Sequence, residues 1–509
     1  MLKKWLPGFI GLSVLALLGR LLGLVREILM ASKFGASDIT DAYLTTLLIF
    51  DIAIAANASI LSGTLSFFTE INNPPGSSNG IYKIGFKILG LFLLIAILIY
   101  PFIDNFILLI FSRSHSTVQI IIDTSRLLFF LLAFILACGF FSAILQRRGY
   151  LTNPGRLTIF LNISSILFLI FFSKEIGIVS LPLGLFIGGI FFFAYQIILI
   201  QKTKTNEPDN SIDNKFNLFG WSAIVLLIFA NSLLPSLSGL IERYFAYNFS
   251  EGTFSHYQYA VKIILLPLTI VSFAISTSLL PVQTQSISEG NKKEFMDSTN
   301  NGILISVITS SLFALIFSTL SRPITKLIYE HGHFSASDSI ETALALQIMS
   351  VGLIPFLLNP VLINIFYSLR SVKNLIVINL FFIIMQVVLL ILLTKIFTGI
   401  EALTITWAII VWLNNITLVL YLARIRKIRF DKGNVFKLAL VVITTAVIAL
   451  LSKQFVNSMF NNVNESSCVV LLKLSSVGLT LLLVFTSIVY YIFRDRLVNI
   501  LSYVRKRND

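Results

Sequence analysis

Arg20, Arg26 and Glu27 stand inside an apolar run, LPGFIGLSVLALLGRLLGLVREILMASKFG, and Asp41 opens the next one. A charge at bilayer depth costs at least about 2.5 kcal/mol on insertion scales, so it is kept where it faces protein or water. Seven-residue steps put Ser13, Arg20 and Glu27 on one side of a helix, drifting by about 20° per step. Gly19 and Gly23 flank that stripe and allow close approach by another helix or a ligand. Arg243, with Glu242 beside it, and Lys262 place cations in later apolar segments, and Asp51 adds an acid to the second. Such cations suit an anionic group such as a diphosphate, because arginine binds phosphate oxygens bidentately and stays protonated when dehydrated. The competing reading is a set of internal salt bridges holding helices in register. It fits Glu242–Arg243 taken alone, but it fits the whole set less well, because basic charges occur near the start of both halves of the chain.

These residues need elements to hold them, and composition says which. Hydrophobic residues make up 56% of the 509 positions and charged residues 12%, with a mean hydropathy of +0.89. So long and apolar a chain is an all-α polytopic membrane protein. Membrane barrels are excluded because they alternate polarity over short segments. Fourteen hydrophobic segments are expected, at 5–31, 39–71, 85–111, 117–146, 157–173, 176–201, 218–249, 256–287, 302–321, 338–369, 374–394, 399–423, 435–452 and 467–493. Kinks are expected at Pro235, Pro267, Pro281, Pro355 and Pro360.

With a cytoplasmic N-terminus, 23 Lys and Arg fall in cytoplasmic termini and loops. Seven fall outside: Lys33, Arg113, Lys174, Arg322, Lys326, Lys395 and Lys453. This asymmetry predicts both termini in the cytoplasm. It also accounts for most of the net charge of +14 without nucleic acid, since the basic residues are spread over many short loops. The tail RDRLVNILSYVRKRND reads as a basic amphipathic helix at a membrane surface. The N-terminus lacks a small-x-small cleavage site and runs on through Arg20, so it is read as a retained helix. Cys138 and Cys468 lie in apolar segments and indicate no disulfide framework.

The polar connections 202–217 and 424–434 divide the chain into an N-terminal lobe of six spans (1–201), a C-terminal lobe of six (218–423) and a final pair with its basic tail (435–509). Arg156 and Asn162 at the fifth segment recur as Lys373 and Asn379 at the eleventh, a weak internal repeat of the kind transporters use to frame a central site. In the second segment Asp41, Thr45, Ala55, Ser59, Ser62 and Ser66 share a small, polar face that packs closely or lines a cavity. The seventh carries Ser232, Ser236, Gly239 and Arg243 at helical steps, and the eighth Tyr259 and Lys262. Asp123 pairs most simply with Arg126. Lys473 and Asp104 are read as lying near helix ends. His331 and His333 read as a solvated loop rather than a metal site. A nucleotide-binding loop, a metalloprotease motif and a nucleophile elbow are all missing, which argues against an ATP-driven pump or a familiar hydrolase.

The stretch GRLLGLVREILMASKFGASDITDAYL resembles the opening of the MurJ (MviN) lipid II flippases, with Arg20, Arg26-Glu27, FGAS and Thr40-Asp41-Ala42-Tyr43 at matching places. IERYFAYNFSEGTFSHYQYAVKIILLP (241–267) resembles a second family run, and YEHGHFSASD and INIFYSLRSVKN fit family segments further on. The resemblance implies the multidrug/oligosaccharidyl-lipid/polysaccharide exporter fold: two six-helix lobes around a central cavity, plus two C-terminal helices forming a groove for a lipid tail. It implies a transporter, not an enzyme, that moves undecaprenyl-diphosphate-linked peptidoglycan precursor (lipid II) from inner to outer leaflet by alternating access. Arg20 and Arg26 match cavity arginines of the family, and Lys262 and Arg243 join them as diphosphate-binding candidates. Glu27, Asp41, Glu242 and Asp51 are the candidate cavity acids or gating residues, of which Asp41 matches the family's acid. The bacterial inner membrane is the expected location. Lipid II and membrane lipids are the expected partners, with cell-wall synthesis enzymes as the protein partners such a role admits. No cofactor or metal is expected, and the membrane potential or a monovalent ion is the driving force open to it.

The chain departs from the family at Phe50-Asp51, Ile54 and Ser59, where relatives commonly carry Pro-Asn, then Arg and Glu, and at Val261, where some carry an acid. Export of another polyprenyl-diphosphate glycan, ion-coupled drug antiport on the same fold, and a non-transporting cell-wall scaffold are the alternatives. A membrane glycosyltransferase would need a catalytic carboxylate in a sizeable outside loop, and the outside loops are short.

Overall fold

In lipid every backbone N–H and C=O must be satisfied within the segment, so long apolar runs become helices. The computed structural model describes residues 2–70, 78–110, 115–203, 218–268, 273–397, 399–425, 428, 431–460 and 467–508. Among them there is no strand.

The chain forms two compact units, Met1–Ser255 and His256–Asp509. The first holds α1 (Leu2–Phe34), α2 (Asp38–Glu70), α3 (Ser78–Ile110), α4 (His115–Arg147), α5 (Asn153–Ile176), α6 (Ser180–Lys202), α7 (Leu218–Ser232) and α8 (Leu234–Ala246). The second is built from α9 (Thr253–Pro267), whose first turn belongs to the first unit, α10 (Phe273–Ser288), α11 (Lys292–Tyr329), α12 (Ala336–Ser368), α13 (Val372–Leu393), α14 (Ile400–Arg424), α15 (Lys432–Met459) and α16 (Ser467–Asn508). Most of the expected connection 202–217 lies outside the described residues, and 218–255 packs with the first unit.

Each of the fourteen expected segments falls on one helix or on a broken pair. Ten helical stretches among the described residues are long and apolar enough to cross a membrane, or eleven if the bent pair α7–α8 is one span. One of the ten, Asn153–Lys202, contains both α5 and α6. The stretches do not include α1, which carries Arg20, Arg26, Glu27 and Lys33, or the α9–α10 pair.

The two units repeat one packing order. In the first, α2, α3 and α6 pack on α4, and α5 packs on α6. In the second, α10, α11 and α14 pack on α12, and α13 packs on α14. Accordingly, among these ten stretches, those on α4 and α12 are the most buried, at 72% and 61%. α15 and α16 pack on α11 and on each other.

Lipid gives helices no hydrophobic reason to associate, so small residues set the close contacts. A Cβ at Gly139 of α4 would stand 2.7 Å from the carbonyl oxygen of Asn57 in α2. The Asn57 amide closes the same contact by donating to the Ile135 carbonyl at 2.5 Å. Because the obstacle is backbone, Gly139→Val should overpack this seam and cost about 1–3 kcal/mol. A lowered unfolding temperature in detergent checks it, with Gly90→Val, where a Cβ meets nothing within 4 Å, as the unaffected control.

Proline breaks the helices at some expected places and at one other. Pro235 opens α8, and α7 and α8 meet at 47°. Pro267 ends α9. α12 keeps helical backbone angles through Pro355 and Pro360, whereas α11 breaks at Leu320 (φ −108°, ψ 17°), just before Pro323. α16 breaks at Phe493 (φ −110°, ψ 16°), which separates the span from the basic tail; the side chains of that tail lie outside the described residues.

Candidate functional site

The candidate charged residues of the first unit sit on α1, α2 and α8. Arg26 and Glu27 are both buried in α1, and Arg26 Nη2 donates to Glu27 Oε1 at 2.7 Å. Neighbours along a helix diverge by about 100° and do not normally face each other; the long arginine side chain has to fold back to reach. Tyr43 of α2 is fully buried and, with Asp51, lies within electrostatic reach of Arg26. The Tyr43 hydroxyl has no hydrogen-bond partner among the described residues.

Arg243 arrives from α8. An apolar cluster of Ala42, Ile103, Ile107, Val118, Ile121, Ile122 and Tyr247 fixes the end of α8 against α2, α3 and α4. One turn earlier, the buried Arg243 donates from Nη2 to Asp51 Oδ2 at 3.0 Å and from Nε to the Leu44 carbonyl at 3.4 Å. Its guanidinium stands 5.8 Å from the Phe254 ring centre. Asp51 is half exposed, at 52% of its side chain, so this pair keeps one face open. Arg26–Glu27 and Arg243–Asp51 therefore form one charged region spanning three helices.

Asp41 does different work. Its Oδ2 accepts from the Gly252 backbone at 2.9 Å, and its Oδ1 accepts from the Ser255 backbone at 2.7 Å and the Ser255 hydroxyl at 2.5 Å. The carboxylate thus caps the first turn of α9 from another helix, where free N–H groups and the helix dipole favour a negative charge. Gly252 adopts φ +78°, which favours glycine, and a Cβ there would come within 2.7 Å of the Ala36 carbonyl.

Arg20 is exposed on α1, on the stripe whose other described member, Glu27, is buried; the Ser13 side chain lies outside the described residues. Beside it, Asn162 of α5 donates to the Gly19 carbonyl at 2.9 Å, and Gly23 faces the same amide. The two glycines therefore admit a helix, α5. The small face of α2 likewise admits α7: Ser59 meets Ser232 at 3.3 Å, Thr64 accepts from Trp221 at 3.0 Å, and Gly63 lies against Val225. Ser62 and Ser66 stay exposed. Glu242 is half-buried on α8.

Lys262 is half-buried on α9 in the second unit. There Tyr259 packs in an aromatic group with Tyr329, tilted, and Phe334, edge to face, ring centres 4.8 and 5.4 Å away, and His256 bonds Asp338 at 3.1 Å. Arg126 pairs first with Asp104 at 2.7 Å and only then with Asp123 at 3.7 Å. Lys473 donates to the Met459 carbonyl at 2.8 Å across a helix end.

The sequence reading missed Tyr43 as a neighbour of Arg26, and missed Phe254 and Ser255 altogether. The Asp-Ala-Tyr motif was the available signal for Tyr43. Nothing local signals the others: the partner of Ser255, Asp41, lies 214 positions away, and Phe254 meets Arg243 only because the chain turns back between α8 and α9.

The family model described as "Lipid II flippase MurJ" matches residues 30–487. A probable lipid II flippase MurJ of Buchnera aphidicola subsp. Acyrthosiphon pisum is 28% identical over 387 residues, 72% of this chain and 74% of that protein. The lipid II flippase MurJ of Burkholderia cenocepacia is 23% identical over 376 residues, 71% and 73% of the two chains. Among solved structures, a lipid II flippase MurJ in an inward closed conformation aligns with TM-score 0.77 at 20% identity, covering 96% of this chain and all of that one. An inward-facing multidrug resistance MATE family transporter of the MOP superfamily aligns with TM-score 0.68 at 16% identity, covering 81% and 98%. With its family model running from the end of α1 into α16, the chain belongs to the MurJ lipid II flippase family.

Proposed function

We propose that this protein translocates lipid II, the undecaprenyl-diphosphate-linked peptidoglycan precursor, from the inner to the outer leaflet of a bacterial cytoplasmic membrane. The observation that carries this reading is the charged region on α1, α2 and α8 within a chain of the MurJ family. A diphosphate in low dielectric needs cations that stay charged, and arginine meets that need. Arg20, exposed on α1, is the first contact. It stands about 9 Å along the helix axis from Arg26, at about 1.5 Å per residue. Arg26 and Arg243 are held in place by their carboxylate partners, which leaves their remaining N–H donors for phosphate oxygens. Lys262, half-buried on α9, is a further candidate cation for the substrate by its match to the family.

Glu27, Asp51 and Glu242 balance the arginines when the diphosphate leaves, so the charges are never left alone in lipid. Each state keeps the arginines paired, and the diphosphate, taken by their remaining donors, biases which state is populated. Asp41 serves this cycle as a fixed cap rather than as a mobile acid. The membrane potential drives the cycle or a monovalent ion does, with both termini cytoplasmic by the charge bias.

Expression in a strain depleted of its own lipid II flippase tests the reading. The expected result is restored growth and clearance of the accumulated lipid II. No restoration by a protein that inserts normally, with a different glycan lipid accumulating in its native host on depletion, would instead support the other polyprenyl-diphosphate substrates.

A further inference from the structure

A pocket of about 310 Å³ with a mixed polar and apolar wall opens in the second unit where α11, α12 and the end of α15 meet. Its wall includes Ser318, Thr319 and Arg322 beside the α11 break, Gln347 of α12, and Lys453 and Phe460. Arg322 and Lys453 come from helices distant in sequence, and both are exposed. Among the described residues neither has a carboxylate within ion-pair distance. Two like charges in one pocket repel, and an anion between them turns that repulsion into attraction.

The placement is against expectation for chance. Only seven Lys and Arg fall on the face that the charge bias assigns to the outside, where cations are depleted, and two of the seven converge here. A cation that merely snorkels toward headgroups needs no second cation and no enclosing hydroxyl and amide groups. The volume lies at the low end of the roughly 300–1,000 Å³ of small-molecule sites, room for a headgroup rather than a whole lipid. Both cations stand within two turns of their helix ends, Tyr329 and Met459, where headgroups lie. Val456 and Phe460 in the wall offer apolar contact for the start of an acyl chain.

We propose that this pocket binds the phosphate of an anionic phospholipid headgroup, with Arg322 and Lys453 as its paired cations. None of its lining residues belongs to the charged region on α1, α2 and α8. A bound lipid would fasten α15 to α11 and α12.

Native mass spectrometry of the full-length protein, reconstituted with a phosphatidylglycerol and phosphatidylcholine mixture and then delipidated, tests the assignment. Wild type should retain phosphatidylglycerol, and the double variant Arg322→Gln, Lys453→Gln should lose it by about tenfold, which is about 1.4 kcal/mol of binding. Lys395→Gln removes an exposed outer-face cation that does not line the pocket and should retain as much lipid as wild type. Equal retention by the double variant, or equal loss in Lys395→Gln, would overturn the pocket. Inorganic diphosphate at millimolar concentration separates the sources: persistence of the lipid supports the headgroup, and its displacement would reassign the site to free phosphate anions. Matching unfolding temperatures of the lipid-free proteins exclude misfolding as the cause.

Discussion

Arg20→Ala abolishes rescue of a strain depleted of its lipid II flippase, while the variant reaches the membrane at wild-type levels. The side chain is exposed, so its removal opens no cavity in the packing. Losing the charge partner of a phosphate that binding has desolvated costs about 2–5 kcal/mol, enough to slow translocation by about 30-fold to a few thousand-fold. Arg20→Lys keeps the charge but not the bidentate geometry and should rescue only in part. Arg26 needs a different design. Arg26→Ala would remove the ion-pair partner of the buried Glu27, at a cost of about 3–5 kcal/mol, so its failure would report folding as much as transport. The pair Arg26→Met, Glu27→Gln removes both charges at similar volume. It should fold and still fail to rescue; full rescue would make the pair a structural strut.

Asp41→Ala gives the largest expected loss of stability. It strands the Gly252 and Ser255 backbone donors and the Ser255 hydroxyl, all buried. Bonds to a charged acceptor contribute about 1.5–3 kcal/mol each, and they are not additive, so a loss of about 3 kcal/mol or more is expected. The unfolding temperature in detergent and the amount of folded protein measure it. Asp41→Asn keeps one acceptor oxygen and should lose roughly half as much. A stable Asp41→Ala protein with lost transport would return Asp41 to the gating role that its motif suggests.

Most of the helical architecture was legible because the bilayer makes the backbone rule strict: an apolar run of sufficient length has one solution. Every expected segment carries helix. The internal repeat was visible at Arg156 and Asn162, and the packing order around α4 and α12 has the same form. What hydropathy could not place were the breaks. Pro323 bends α11 through Leu320, while Pro355 and Pro360 sit in a continuous α12, because neighbouring packing decides whether a missing hydrogen bond becomes a kink. The candidate residues stood out by type, and their pairings did not. Arg26 and Glu27 are adjacent in sequence, but Arg243 and Asp51 are 192 positions apart, and no periodicity joins α8 to α2. Asp41 is the clearest example. Its motif marks it as special without saying that it caps a helix beginning at Thr253. Gly19 and Gly23 announced a close approach, and the structure makes the approaching group α5.

The central claim is that the α1 arginines act on a lipid-linked diphosphate. The most direct measurement is the fraction of lipid II exposed on the outer leaflet of depleted cells carrying this protein, read with a membrane-impermeant probe. Wild type should restore outer-leaflet lipid II, whereas Arg20→Ala, present at equal amounts in the membrane, should leave it in the inner leaflet. Normal outer-leaflet lipid II in cells carrying Arg20→Ala together with Arg26→Met, Glu27→Gln would contradict the account.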